Sequence, residues 1–331
     1  MVYGKMTHKT MLSFVIPCYR SENTISDVVN EIVDTVTQRN EYDYEIILVS
    51  DHSPDAVYCV IEGLAAKNLR IKGIELSKNF GQASAMMCGY RAAKGDIIIS
   101  LDDDGQNPVN EVFKLIEKLS DEVDLVFARY PDRKDNIFRK VCTFFYNTTM
   151  QILLNKPRNI SITNFIACKK YVINEMLRYQ STSPFIGGLM LRTTARIANV
   201  DAHHRPRAWG STGYTFSKLF SLWLNGFVSF SIKPLRIASV LGISCSLLGF
   251  LMGMRFVIER LLNHEIQAGF TSIIAAILFI GGVIMVMLGL IGEYVGRIFL
   301  NLNNTPQYVI RRRTFLEQDD RATEGKEDTM T

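Results

Sequence analysis

The stretch Ile97-Ile-Ile-Ser-Leu-Asp-Asp-Asp-Gly-Gln-Asn-Pro108 joins a short apolar run to a cluster of carboxylates. In extended backbone, alternate side chains share a face, so Asp102, Asp104 and Gln106 are predicted to present oxygen atoms on one side. Oxygen ligands of this kind suit a hard divalent cation. The stretch therefore predicts a buried strand that ends in a metal or substrate site.

The same residues are also typical of an acidic turn that leads into a helix. On this interpretation Asn107 is the N-cap and Pro108 occupies the first helical position. The two interpretations are compatible, and the local spacing does not decide between them.

Apolar runs alternate with segments of helical spacing on both sides of this stretch. The predicted strands are Leu12–Pro17, Glu45–Val49, Ile71–Leu76, Asp96–Leu101 and Asp124–Ala128. The predicted helices are Thr24–Arg39, Asp55–Ala66, Gln82–Ala93 and Val109–Ser120. Strict alternation of this kind predicts an α/β fold with a doubly wound, mostly parallel sheet.

Polar residues collect directly after the first four predicted strands, in the segments 17–22, 50–55, 77–82 and 102–108. The carboxyl ends of parallel strands meet at one edge of a sheet, where open α/β sheets bind their ligands. No glycine-rich phosphate loop is present in the sequence to hold a diphosphate with backbone amides. A nucleotide diphosphate bound at this edge would therefore need a metal, for which the aspartate cluster is the candidate.

The chain has 331 residues, and its excess of apolar residues lies near the end. Neither Ile237–Met254 nor Ile266–Gly292 contains a charged residue, and such runs approach or exceed the length that crosses a bilayer. Glycines punctuate both runs, as in close-packed membrane helices. We predict two transmembrane helices; the alternative is a pair of buried core helices.

The flanking charges predict the orientation of these two spans. Lys233 and Arg236 precede the first span, and Arg297 and Arg311–Arg313 follow the second, whereas the charges of Glu259–Glu265 nearly cancel. The positive-inside bias therefore places both termini in the cytoplasm. The first apolar run is too short for a signal peptide, so we expect the soluble part not to be exported.

Composition excludes several other classes of site. The six cysteines form no Cys-x-x-Cys pair, which favours reduced thiols in a cytosolic core over disulfides or zinc. A net charge of +4 gives no support to nucleic-acid binding. Basic residues nonetheless form two groups that suit an anionic lipid phosphate. These groups are Arg129, Arg133, Lys134, Arg139 and Lys140, and Arg192, Arg196, Arg205 and Arg207.

The order of these segments resembles the family 2 inverting glycosyltransferases. Within them the chain is similar to the polyprenyl-phosphate branch, which includes dolichol-phosphate mannose synthase, GtrB-type glucosyltransferases and the undecaprenyl-phosphate formamido-arabinose transferase. The resemblance covers about Leu12 to Arg313. It rests on Val15-Ile-Pro-Cys-Tyr19, Glu45-Ile-Ile-Leu-Val-Ser-Asp51, Leu76-Ser-Lys-Asn-Phe-Gly-Gln82, Leu101-Asp-Asp-Asp-Gly-Gln-Asn-Pro108, Phe138-Arg-Lys140, Arg207-Ala-Trp-Gly-Ser-Thr-Gly-Tyr214 and Phe230-Ser-Ile-Lys-Pro-Leu-Arg236.

The resemblance implies a GT-A-like fold and a role for each matching residue. Asp102, Asp104 and Gln106 match the motif that holds Mg²⁺ or Mn²⁺ against the donor diphosphate. The implied substrate-binding set is Pro17, Tyr19 and Glu22 around the base and ribose, Asp51 on the nucleobase, Asn79 and Gly81 in the loop after the third strand, and Asp103 on the sugar or ribose.

The resemblance further implies that Arg129, Arg139, Thr143 and Arg207 grip the acceptor phosphate. A lipid phosphate is already a nucleophilic dianion near neutral pH, so we expect no catalytic base. His203 and His204 are interpreted as structural. Two positions depart from the family pattern: Ser50 stands where an acid is usual, and Ile166 stands where an arginine is usual.

Together with these features, the resemblance implies inverting transfer of a sugar from a nucleotide-sugar donor, expected to be UDP-linked, to undecaprenyl phosphate. Such an enzyme of the bacterial inner membrane, expected to be a homo-oligomer, would feed cell-envelope glycan modification. The predicted regions are a catalytic domain over 1–210, an amphipathic juxtamembrane segment over 211–234, two spans over 235–300 and a partly disordered tail over 301–331. The alternatives are a processive polysaccharide synthase and an inert membrane scaffold.

Overall fold

A computed structural model describes residues 9–131, 156–157, 159–182, 184–205, 270–303 and 305–316, together with residue 151 and single positions between 240 and 258. The predicted phosphate-binding residues Arg139, Thr143 and Arg207 lie outside the described residues, as does the juxtamembrane segment 211–234. The chain divides into two units: Met1–Phe145, Lys156–Gly213 and Thr305–Thr331 form the first, and Tyr146–Asn155 and Tyr214–Asn304 form the second.

The first unit is built on an eight-stranded sheet flanked by helices. Its strands are β1 (Thr10–Cys18), β2 (Tyr42–Ser50), β3 (Ile71–Leu76), β4 (Ile97–Ser100), β5 (Leu125–Arg129), β6 (Ile166–Lys169), β7 (Ile197–Asp201) and β8 (Ile310–Arg313). Its helices are α1 (Ile25–Thr37), α2 (Val57–Lys67), α3 (Gln82–Ala92), α4 (Val112–Lys118), α5 (Lys170–Met176) and α6 (Ile186–Thr193), with a 3₁₀ turn at Val109–Glu111. The five predicted strands and four predicted helices are all present.

The strand order is β7-β5-β6-β4-β1-β2-β3-β8. Strand β1 pairs in parallel with both β2 and β4, and β2 pairs in parallel with β3, which confirms the mostly parallel sheet. The order reverses between β1 and β4, because successive connections run outward in opposite directions from that point. Such a switch point opens a crevice at the carboxyl ends of the two strands.

Three strands were not anticipated from the sequence. Strand β6 is antiparallel to β4 and β5, β7 pairs in parallel with β5, and β8 is antiparallel to β3. Ile166, the departure from the family pattern, is the first residue of β6 and is buried. An arginine at this backbone position would place its charge in the core between β4 and β5.

Apolar side chains on one face of α1 and α2 pack on the sheet and form its principal core. Ile25, Val28, Val29, Ile32 and Val36 follow helical spacing along α1 and are all buried. They meet alternate residues of the central strands, such as Phe14 and Leu48, which are fully buried. This packing fixes the amino-terminal end of α1 beside the end of β1, at the crevice.

Helix α3 packs on the other face of the sheet through Gly89. A Cβ atom built there would overlap Val15 Cγ1 and lie 3.2 Å from Val49 Cγ2. We expect Gly89→Ala to lower the free energy of unfolding by about 1–3 kcal/mol, because the packed core must shift to admit a methyl group. Denaturant unfolding of the detergent-solubilised chain measures this effect.

Gly63 in α2 provides the matched control for Gly89. No atom lies within 4 Å of a Cβ built at this exposed helical position. Gly63→Ala is therefore expected to stabilise the protein by about 0.5–1 kcal/mol, since alanine loses less backbone entropy on folding. Equal stability of Gly89→Ala and the wild type would contradict the close approach.

The second unit contains α7 (Phe270–Leu302), a helix of 33 residues. Within it, Phe279–Gly296 is apolar and long enough to cross a membrane. The described positions between Gly242 and Leu251 form only a shorter apolar helix, so one candidate span is found in the described part of the chain rather than the two predicted.

Candidate functional site

Loops from three neighbouring strands meet at the switch point of the sheet. The backbone N–H of Tyr19, just after β1, donates to Asp103 Oδ2 over 2.9 Å. Thr24 Oγ1 donates to the carbonyl oxygen of Asp103 over 2.7 Å. The aspartate loop, which we define as residues 101–107 after β4, is thereby joined to the loop that starts α1, and together they form one wall of the crevice.

The loops after β1 and β2 are bonded to each other as well. The Arg20 N–H donates to Ser53 Oγ over 2.7 Å, and the Glu22 N–H donates to Asp55 Oδ2 over 3.1 Å. Glu22 Oε2 in turn accepts the N–H of Ala56, at the start of α2, over 2.8 Å. Glu22, predicted to line the ribose pocket, thus also holds the two loops in register.

Two residues of these loops adopt the left-handed backbone conformation, which side chains other than glycine rarely adopt. Arg20 has a φ of 59° and His52 a φ of 49°. Such conformations cost on the order of 1 kcal/mol each and persist where surrounding bonds enforce them. Each residue lies two positions after the end of its strand, β1 or β2, at the crevice. The backbone strain is therefore localised at the candidate site.

Asp51 is the polar anchor at the end of β2. Its two carboxylate oxygens accept the backbone N–H groups of Phe80 and Gly81 over 2.7 and 2.8 Å. Asn79 Nδ2 donates to the backbone carbonyl oxygen of Asp51 over 3.3 Å. Burial raises the pKa of Asp51 above its usual value, and the two backbone N–H groups offset only part of that rise. The structure therefore brings the predicted residues Asp51, Asn79 and Gly81 together.

The aspartate loop is a tight turn and not the extended segment predicted from alternation. Gly105 adopts a φ of 72°, a left-handed conformation that lets the chain reverse. Asp104 Oδ1 accepts the backbone N–H of Gln106 over 3.1 Å across this turn. The predicted metal ligands Asp102, Asp104 and Gln106 are consequently grouped by the turn and not by a shared strand face.

Asp102 lies at the base of this turn and is partly exposed to solvent. Its Oδ1 accepts hydrogen bonds from Gln82 Nε2 over 2.9 Å and from Asn164 Nδ2 over 3.0 Å. Burial raises the pKa of Asp102 to about 6; the bond from Asn164 opposes the rise, and the charges of Asp104 and Asp103 add to it. A buried carboxylate beside other negative charges fits a site that a cation completes.

Within the described residues, no three carboxylate, imidazole or thiol groups are grouped to hold a metal by themselves. Asp103 is directed to the Tyr19 N–H instead, which leaves Asp102, Asp104 and the Gln106 amide in the loop. Mg²⁺ is commonly bound by one or two carboxylates and completed by substrate phosphate and water. This donor set fits an ion that arrives with a diphosphate.

Asn107 supports the aspartate loop and does not cap a helix, which corrects the predicted helix start. Its Oδ1 accepts the Asp102 N–H over 2.7 Å, and its Nδ2 donates to the Tyr130 hydroxyl over 2.9 Å. The helical segment begins at Val109, after Pro108. Sequence reasoning assigned no site role to Asn107, Gln82 or Asn164, because amides at isolated positions carry no spacing signal.

Arg129 and Arg205, two described members of the basic groups predicted to suit a lipid phosphate, are held by carboxylates. Arg129 Nε and Nη2 donate to the two carboxylate oxygens of Asp201 over 2.5 and 2.9 Å. Arg205 donates to both carboxylate oxygens of Glu31. The Arg205 N–H donates to the backbone carbonyl oxygen of Gln106, and Gln106 Nε2 donates to the backbone carbonyl oxygen of Arg205. Arg205 therefore lies directly beside the aspartate loop.

The structure also gives the contacts of the adjacent histidines His203 and His204 and the exposure of the predicted pocket residues Pro17 and Tyr19. His203 Nδ1 lies 2.8 Å from Glu111 Oε1, and the His204 ring packs edge-on against Tyr130. Pro17 is buried in β1, whereas Tyr19 is 45% exposed beside Arg20, whose guanidinium lies 5.6 Å from the ring centroid. An exposed aromatic ring at the mouth of the crevice offers a surface for stacking.

Comparison with known proteins gives two family matches along the chain. Residues 13–178 match glycosyl transferase family 2, and residues 233–298 match the GtrB C-terminal hairpin. The first match contains all four loops of the crevice. The second contains both apolar runs, Ile237–Met254 and Ile266–Gly292, in which spans were predicted.

Curated relatives match over nearly the whole chain. The undecaprenyl-phosphate 4-deoxy-4-formamido-L-arabinose transferase of Proteus mirabilis is 31% identical over 91% of this chain and 93% of its own length. The SfII prophage-derived bactoprenol glucosyl transferase of Shigella flexneri is 29% identical over 91% of this chain and 97% of its own length.

A solved structure shares the fold of the catalytic unit. Glucosyl-3-phosphoglycerate synthase from Mycobacterium tuberculosis, crystallised with Mn²⁺ and UDP-glucose, matches with a TM-score of 0.51 and 16% identity. The match covers 66% of this chain and 77% of that protein.

Proposed function

We propose that this chain, which belongs to glycosyl transferase family 2 and is a glycosyltransferase, moves a sugar from a nucleotide donor to undecaprenyl phosphate with inversion. The observation that carries the proposal is the aspartate loop at the switch point, which is bonded through Asp103 to the loop after β1 and carries the proposed ligands Asp102, Asp104 and Gln106. The relatives named for transfer to undecaprenyl phosphate or bactoprenol support the choice of acceptor.

The donor nucleotide would occupy the crevice between the ends of β1, β2 and β4. Asp51 would accept the imide N–H of uracil, since each carboxylate oxygen retains a lone pair beyond its bond to Phe80 or Gly81. The exposed ring of Tyr19 would stack on the base, with Pro17 and Glu22 closing the base and ribose pocket. The UDP complex of the structural neighbour supports UDP over GDP.

Asp102, Asp104 and Gln106 would hold Mg²⁺ or Mn²⁺. When bound, the ion would supply charge stabilisation for the departing nucleoside diphosphate. The protein's own contribution is orientation: Gln82 and Asn164 fix Asp102, and Asn107 fixes the backbone that carries it. Asp103, held by the Tyr19 N–H, could reach the sugar or ribose only through its remaining lone pairs.

In the transfer step, an oxygen of the acceptor phosphate attacks the anomeric carbon while the bond from that carbon to the nucleoside diphosphate breaks. The phosphate oxygen carries no proton at neutral pH, so no base is required and positioning dominates. Arg129, Arg139, Thr143 and Arg207 are proposed to position the phosphate. Arg129 would do so with the donors it does not give to Asp201.

The apolar helix and the hairpin match support a membrane localisation. We propose two membrane spans in the bacterial inner membrane, with the catalytic unit and both termini in the cytoplasm, where nucleotide sugars are made. The match of residues 233–298 to the GtrB C-terminal hairpin supports the second span. The charge bias in the sequence supports the orientation.

Transfer of radiolabel tests the proposal. Membranes that contain the full chain are incubated with undecaprenyl phosphate, Mn²⁺ and a panel of labelled UDP- and GDP-sugars. We expect label in the solvent-extracted lipid from at least one UDP-sugar, with release of UDP in equal amount. No labelled lipid from any donor would contradict the proposal, and metal-dependent UDP binding without turnover would support an inert scaffold instead.

Asp51→Asn provides a test of the base contact. An amide nitrogen at this position would face either a backbone N–H of the loop or the imide N–H of the base, and donors repel each other at both places. We expect the Kd for UDP with Mn²⁺ to rise by about 10- to 100-fold, measured by calorimetry. Asp43→Asn, at the far end of the same strand, should leave the Kd unchanged, and a Kd within twofold of wild type for Asp51→Asn would contradict the assignment.

A further inference from the structure

Strand β8 covers the outer edge of β3 over its last residues. Their pairing runs from Ile74 with Arg313 to Leu76 with Ile310, and a shift in register lies between Glu75 and Leu76. Beyond the strand, Thr314 exchanges two hydrogen bonds with Gly73, through its backbone N–H over 3.0 Å and its Oγ1 over 2.8 Å. A Cβ at Gly73 would lie 2.9 Å from Thr314 Cγ2, so glycine permits this approach.

Arg312 fixes β8 to the sheet and to α2. Its Nε donates to Glu75 Oε2 over 2.7 Å, its Nη1 lies 3.3 Å from Glu62 Oε1, and its guanidinium lies 4.2 Å from the centre of the Tyr58 ring. Glu75 is only 7% exposed. Without Arg312 this buried carboxylate would lose its closest charge partner, so the arginine and the strand stabilise each other.

The hydrogen bonds of this segment continue into the loop that carries the base contact. The N–H of Ser77, the first residue after β3, donates to the carbonyl oxygen of Val309 over 2.8 Å. The same loop then supplies the N–H groups of Phe80 and Gly81 to the carboxylate of Asp51. One continuous path of bonds therefore joins β8 to Asp51 through a loop of five residues.

We infer that β8 is a positioning element of the donor site, which holds the loop 77–81 so that Asp51 faces the nucleotide. The inference rests on the proposed function, because it takes Asp51 as a donor contact. Strand β8 begins eight residues after the end of α7, the candidate span. The segment that follows the membrane helix is thereby part of the donor-binding sheet and not a separate tail.

A purely structural role for β8 predicts a different result. Covering an exposed strand edge prevents aggregation and stabilises the fold without affecting a ligand site. Loss of that role would lower the fraction of folded protein and leave the affinity of each folded molecule unchanged. Calorimetry separates the two roles, since stoichiometry reports the folded fraction and Kd reports the site.

The test compares two variants with a control in the detergent-solubilised full chain, with UDP and Mn²⁺ as the probe. Arg312→Ala removes the ion pairs with Glu75 and Glu62, and Thr314→Val removes only the acceptor for the Gly73 N–H at nearly constant shape. Arg178→Ala is the control, because Arg178 forms an exposed ion pair with Glu175 at 3.1 Å in the same unit. Thr314→Val decides the question if Arg312→Ala does not fold.

We expect the Kd for UDP to rise about tenfold in Arg312→Ala and about threefold in Thr314→Val, with Arg178→Ala unchanged. Unchanged Kd values in every folded β8 variant, with only the stoichiometry or the unfolding temperature reduced, would overturn the inference. A wild-type protein that binds no UDP would instead refute the proposed function, so the two failures are distinguishable.

Discussion

Replacement of Asp104 by alanine is expected to reduce the rate of sugar transfer by about a thousandfold or more. Asp104 is one of the two carboxylates that we propose to hold the cation, whereas Asp103 is bonded to the Tyr19 N–H. Its loss would remove a proposed metal ligand that lies in the turn at Gly105. The initial rate at which labelled lipid forms, at saturating donor, measures the effect.

Asp34→Ala is the matched control for this prediction. Asp34 lies exposed on α1, within the same unit, and its replacement removes the same charge without touching the crevice. Its rate should equal that of the wild type. If Asp104→Ala retained more than about a tenth of the wild-type rate, a ligand at this position would not be required, and the assignment would be wrong.

Replacement of Glu45 by alanine is expected to cost the largest share of folding stability. Glu45 is 2% exposed in β2, where it accepts hydrogen bonds from Ser13 Oγ over 2.6 Å, Lys72 Nζ over 2.5 Å and the Lys94 N–H over 2.5 Å. Alanine would leave all three donors without this acceptor. Breaking a buried pair in this way costs about 3–5 kcal/mol, which lowers Tm by roughly 10 °C for a unit of this size.

The control for Glu45 is Glu117→Ala. Glu117 also pairs with a cation, Arg39, at 2.7 Å, but 58% of its side chain is exposed. Exposed pairs contribute only about 0–1 kcal/mol, so its Tm should shift little. Equal shifts in the two variants would contradict the account of Glu45 as a buried anchor.

The pH dependence of stability provides a second check on Glu45. Burial raises the pKa of Glu45, but hydrogen bonds from Lys72, Ser13 and the Lys94 N–H outweigh it and leave the pKa below its usual value. A carboxyl with a lowered folded-state pKa contributes stability above its unfolded pKa and loses it as pH falls through the folded value. The difference between wild type and Glu45→Ala should therefore be full at pH 7 and shrink below about pH 4.

The parallel core of the fold was predictable because most of its strands contain a buried apolar run. Thr10–Cys18 and Tyr42–Ser50 are continuously apolar over their later residues, a pattern that helices on both faces of a sheet impose. Strand β8 was not predictable, since its sequence Ile-Arg-Arg-Arg lacks a hydrophobic pattern. Its arginines were instead interpreted as a cytoplasmic flank, whereas Arg311 and Arg312 form ion pairs with Glu75.

The candidate site was predictable in its carboxylates but not in its supporting contacts. The acidic cluster is conspicuous in the sequence because it ends an apolar strand. Gln82 and Asn164 lie 20 and 62 residues from Asp102, and only the folded sheet brings their amides to its oxygen. Asn107 was assigned to a helix cap because local propensity favours it, yet tertiary contacts with Asp102 and Tyr130 determine its role.

The central claim is that the aspartate loop binds a divalent cation against the donor diphosphate. The most direct measurement is the Kd for UDP by calorimetry, in EDTA and in Mn²⁺, for the wild type and Asp104→Ala. We expect Mn²⁺ to tighten UDP binding by about tenfold or more in the wild type and to have no effect in Asp104→Ala. Equal tightening by Mn²⁺ in both proteins would contradict the claim.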